Sequence, residues 1–218
     1  MIAAVKKENK AIVAPKRMRV TYTLTVDTNA VPAGKLVRCW LPYPRTDQAR
    51  QRDVKFISAS ESDYVLSPQE CRHSTLYMEK RAVQGEPTVF SETFEYTSCG
   101  EWHNLRAEDV LPYDTTTALY KEYTAEREKH IVFSPRLREL AAKLTAGETN
   151  PYLKAKRIFR WINDHFPWAS AREYSTIENI PEYVLDNRHG DCGQVSLLFI
   201  TLCRISGIPA HFQSGFMM

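Results

Sequence analysis

The sequence predicts an α+β chain in which an antiparallel β-sandwich-like domain precedes a helical one. Residues 18–26 alternate apolar and polar side chains with period two. Four more β-type runs follow before about residue 103, with turn residues and no helical period between them. Beyond that point apolar residues recur at helical spacing, behind two strong helix-start signals. With 43% apolar and 25% charged residues the chain of 218 has ordinary globular composition, and length allows one large or two small domains.

Residues 1–15 mix Lys, Ala and Val without period and read as a tail. Residues 16–103 are assigned to the β domain. Met18, Val20, Tyr22, Leu24 and Val26 form one face of its first strand, with Arg19, Thr21, Thr23 and Thr25 on the other. Further strands are expected at Lys35–Leu41, Val54–Ala59, Ser74–Val83 and Thr88–Ser98, parted by Gly34, Pro42, Pro68, Gly85 and Pro87. Residues 104–218 form the helical part. Asp114 is the cap candidate for a weakly amphipathic helix carrying Leu119, Tyr120 and Tyr123. Ser134-Pro135 and Asn150-Pro151 each combine a capping side chain with proline in the first turn. A short helix is expected near Pro181–Asn187.

The formal net charge of +3 is small and scattered, which gives no reason to expect a nucleic-acid or membrane surface. No apolar run approaches the ~20 residues of a membrane span. Five cysteines, Cys39, Cys71, Cys99, Cys192 and Cys203, form no CxxC pair, which argues against a thiol-rich zinc site. Cys39, Cys71 and Cys99 lie in β segments and read as core or strand residues, with one disulfide among them allowed if the protein is exported. The N-terminus lacks the apolar core of a secretory leader. An exported bacterial protein with its leader removed is the favoured reading, a cytoplasmic one the alternative.

One segment carries chemistry: HGDCGQVSLLFITLCRISGIP at 189–209. Asp191 caps a helix and Gln194 reaches back to it, so Cys192 falls at the first helical position. The following helix is apolar on most sides until Gly207 and Pro209 stop it. A thiol at a helix N-terminus meets unpaired N–H groups and the positive end of the dipole, which favour the nucleophilic thiolate. Gly193 leaves room for a substrate carbonyl, and the Cys192 backbone amide is a candidate oxyanion donor. Cys203, in the apolar middle of the same helix, reads as core. Trp168 and Tyr174 are candidate second oxyanion donors, although packing against the helix is the favoured role of each.

Gly190, Cys192, Gly193, the apolar helix, Arg204 and Gly207-Ile208-Pro209-Ala210 together resemble the transglutaminase-like superfamily, over about residues 130–218. That resemblance implies a papain-like cysteine-nucleophile fold, of which this chain holds the helical half. The β region with WLPYPR at 40–45 looks like the domain that precedes this core in bacterial members. His211 stands where the family usually has Arg, a change expected to alter packing beneath the site. The resemblance implies amide-bond chemistry through a Cys192 thioester, ending in hydrolysis or transfer to an amine. Peptide or protein amides are the implied substrates, with no cofactor; no acidic loop suggests calcium.

The family's catalytic His and Asp follow the cysteine on sheet strands, and this chain reaches Met218 where the first such strand is expected. The core is therefore read as truncated, inactive alone, and prone to self-association through its apolar helix face and an unpaired strand near His211–Met218. Of the six histidines, only His189 and His211 lie near enough in sequence to be weighed as a base, and both are poorly placed. The rival reading is a non-catalytic binding or structural module with an incomplete core.

Overall fold

The structure is a computed structural model that describes residues 1–170 and 172–214. It is mixed α+β, and the chain divides into two compact units, Met1–Asn104 and Leu105–Met218.

The first unit is built from α1 (Ile2–Glu8) and six strands: β1 (Ile12–Val26), β2 (Leu36–Pro42), β3 (Gln51–Ala59), β4 (Tyr64–Leu66), β5 (Thr75–Arg81) and β6 (Thr88–Glu101). They form two three-stranded antiparallel sheets, ordered β1-β6-β3 and β2-β5-β4. Period-two alternation turns Cys39, Leu41, Leu76 and Met78 of one sheet against Phe90, Phe56 and Tyr22 of the other, closing a sandwich core.

Residues 1–15 are not a tail. Val5 of α1 is buried, and Val13 is 1% exposed in β1 opposite Gly100. The pairing shifts register between Val13 and Lys16, and Ala14 has φ of 52°, so the alternation breaks where the strand begins. β4 has three residues, too few to show a period.

In the second unit α2 (Ala118–Thr124), α3 (Pro135–Thr145), α4 (Pro151–His165), α5 (Ile180–Asn187) and α6 (Cys192–Ile205) follow in order. Ser134 and Asn150 cap α3 and α4, each with proline in the first turn. Thr117 caps α2 in place of Asp114, whose carboxylate instead receives the amide and hydroxyl of Thr116. Leu137, Ile158, Ile162, Ile180, Val184, Leu198 and Leu202 meet in one apolar core. No helix of the described residues is long and apolar enough to cross a membrane.

His211–Ser214 form no strand; the rest of the expected strand, 215–218, lies outside the described residues. All five cysteines are free thiols; Cys39 and Cys99 are buried, as core residues of the sandwich unit, and Cys71 is exposed.

Candidate functional site

Cys192 is the first residue of α6, and it is exposed. The turn that presents it is closed by reciprocal bonds: Gln194 N–H donates to Asp191 Oδ1 at 2.8 Å, and Asp191 N–H donates to Gln194 Oε1 at 3.2 Å. Gln194 is itself buried, with Nε2 lacking a hydrogen-bond partner among the described residues. A Cβ on Gly190 would lie 3.1 Å from Gln194 Oε1 and 3.2 Å from Val184, so glycine lets the turn pack this closely.

Tyr174 hydroxyl donates to Asp191 Oδ1 at 2.5 Å. Burial, then the Asp191 carboxylate, pushes this phenol well above its ordinary range. Its proton is held by the capping carboxylate, which removes it from the set of free oxyanion donors. A Cβ on Gly193 would lie 2.2 Å from the Tyr174 hydroxyl oxygen. The glycine expected to make room for a substrate carbonyl thus makes room for Tyr174.

Trp168 stands beside the same turn. It forms a parallel bridge with Gly190, and Ala169 N–H donates to Gly190 O at 3.1 Å. Its side chain is 71% exposed, so the packing role expected of it is not observed. Cys203, 1% exposed in the middle of α6, has its thiol pushed up to about 12 by burial.

The far end of α6 stops at Gly207, as its sequence predicts, and is tied to distant segments by bonds that the spacing does not encode. Gly207 takes φ of 75°, and Gly207 N–H and Ile208 N–H return to Arg204 O and Cys203 O, a glycine-dependent helix stop. Arg204 is 5% exposed and donates to Ala210 O, Ala125 O and Glu122 O at 2.8, 2.7 and 3.4 Å. Tyr120 hydroxyl donates to Gly207 O, and Ala210 N–H donates to Tyr123 O. The tyrosines at 120 and 123, one turn apart on α2, were the available signal. His211 stacks on Tyr123 of α2, with ring centroids 4.9 Å apart, at the end of α6 away from Cys192.

Among the described residues no histidine hydrogen-bonds to Cys192. His211 Nδ1 lies 3.2 Å from Phe212 O, and His165 Nδ1 lies 2.7 Å from Trp161 O. His103 pairs with Glu101, while His189 is partly buried in the turn after α5. No group of three or more His, Cys, Asp or Glu among the described residues is placed to hold a metal ion.

The family model for the transglutaminase-like superfamily matches residues 138–218. The second unit is thus similar to the transglutaminase-like superfamily over that stretch. Its Cys192 turn, α6 and the Gly207–Ala210 stop all lie inside the match. The crystal structure of a candidate cysteine protease from Cytophaga hutchinsonii aligns with a TM-score of 0.66 over 91% of this chain, at 17% identity. This chain spans 66% of that protein's length, and at such identity the likeness is one of fold. No curated protein matches the sequence.

Proposed function

We propose that Cys192 is the nucleophile of a cysteine enzyme that cleaves or transfers peptide and amide acyl groups. The carrying observation is an exposed thiol at the first position of a buried helix, behind a doubly bonded cap. Its thiolate attacks the carbonyl carbon, the C–N bond breaks, and the amine leaves with a proton. The thioester so formed is opened by water, giving an acid, or by a second amine, giving a new amide. The Cys192 backbone amide at the start of α6 donates to the developing oxyanion, and the exposed Trp168 indole N–H is the candidate second donor.

Proton transfer needs a base, and none touches Cys192 among the described residues, so the second step is expected to stall in this chain. p-Nitrophenyl acetate separates acylation from turnover. We expect an acetyl adduct on Cys192 by peptide mass spectrometry, formed faster than on the exposed Cys71 and absent in Cys192→Ala, with negligible catalytic turnover. Equal acetylation of Cys192 and Cys71 would refute the proposal and favour a non-catalytic module.

A further inference from the structure

A concave site lies within the helical unit, between α3, α4 and α5, with a volume of about 290 Å³. Leu140, Trp161, Phe166 and Leu185 give it apolar and aromatic walls. Lys143 reaches it from α3 and Arg188 from the end of α5. Neither cation has a hydrogen-bond or ion-pair partner among the described residues. Arg136 also borders the site, but it is engaged by Glu182 and by Asp186 at 2.6 Å.

We propose that this cleft binds a carboxylate carried beside an apolar side chain, the chemistry of a peptide C-terminus. Charge complementarity selects the carboxylate: two unpartnered cations, on different elements, flank an apolar floor. Glu139 on the same wall disfavours a more highly charged group such as a phosphate. The size admits one apolar residue rather than a long segment.

Arg188 occupies a backbone position that makes a clean test possible. It ends α5 with φ of 59°, a left-handed position where glycine is the usual occupant. The two chain segments that border the cleft run straight into the Cys192 turn. Phe166 leads to Trp168 and Arg188 to Gly190, and those two residues form the parallel bridge. Binding does not depend on the chemistry of Cys192, so the two proposals stand or fall separately.

Titration calorimetry of the whole chain with N-acetyl-L-phenylalanine and with N-acetyl-L-phenylalaninamide tests the site. The acid is expected to bind about tenfold more tightly than the neutral amide at low salt, with the gap closing as sodium chloride is added. Arg188→Gly removes the guanidinium and supplies the residue this backbone prefers, so Tm holds or rises while the acid's affinity falls toward the amide's. Lys143→Gln does the same from the opposite wall, without touching the left-handed position. No binding of the acid, equal binding of acid and amide, or unchanged affinity in both variants would each overturn the proposal.

Discussion

Among the described residues each unit buries one charged side chain, and the two are treated in opposite ways. Arg204 in the helical unit is 5% exposed and satisfied by three backbone carbonyls from two separate segments. Glu92 in the sandwich is 1% exposed, between Phe90 and Phe94 on β6, and neither carboxylate oxygen has a hydrogen-bond partner among the described residues. The difference teaches what each core is committed to. Arg204 is a tie: its bonds hold the Gly207–Ala210 stop against α2 and so fix the helix that begins at Cys192. Glu92 is a carboxyl kept from water, and burial pushes it up to about 7. Its charge in turn adds to burial in raising the Cys39 thiol and the Tyr43 phenol.

Removing the tie should cost most. Arg204→Met keeps an apolar stem but leaves three carbonyls without their donor, and is expected to destabilise the helical unit by upwards of about 3 kcal/mol. Urea unfolding followed by a probe in that unit reads it. A loss near zero would mean that water replaces the guanidinium and that the comparison fails.

The sandwich should respond to pH instead. The folded-state value for Glu92 lies above its unfolded value of 4.5, so its contribution is fully present below about pH 4.5 and is lost as pH rises through about 7. The loss is up to about 3 kcal/mol. Sandwich stability in the native sequence should therefore fall between about pH 4.5 and 7 and level off above that, relative to Glu92→Gln, which lacks this titration. Parallel pH profiles would show that Glu92 is solvated. Glu92→Leu should stabilise the sandwich above pH 7, the opposite sign to Arg204→Met.

A smaller effect is expected at the site. Tyr174→Phe deletes the bond to Asp191 while preserving the ring over Gly193, and should lower helical-unit stability by about 1 kcal/mol. Gly193→Ala in that background should be milder than in the native chain, because the atom met at 2.2 Å is the deleted hydroxyl. Equal penalties in both backgrounds would place the conflict elsewhere.

What could be read from sequence was what local pattern encodes. The period-two runs became β1, β2, β3, β5 and β6, and Asp191 with Gln194 became the capping box of α6. The unread features depend on partners far along the chain. Tyr174 meets Asp191 across 17 residues, and Arg204 reaches Ala125 across 79. No spacing rule contains such pairs. Glu92 looked like any polar residue of an alternating strand, yet it falls on the inward face with Phe90 and Phe94. The start of β1 shows no period because the irregular pairing after Val13 breaks the alternation that announces a strand.

The central claim is that the start of α6 makes Cys192 a nucleophile, and Cys71 provides its control, because both thiols are exposed and only one begins a helix. Iodoacetamide alkylation at pH 7, followed residue by residue by mass spectrometry, compares them directly. We expect Cys192 to react about tenfold faster than Cys71, with the buried Cys203 unlabelled. Equal rates for Cys192 and Cys71 would contradict the account.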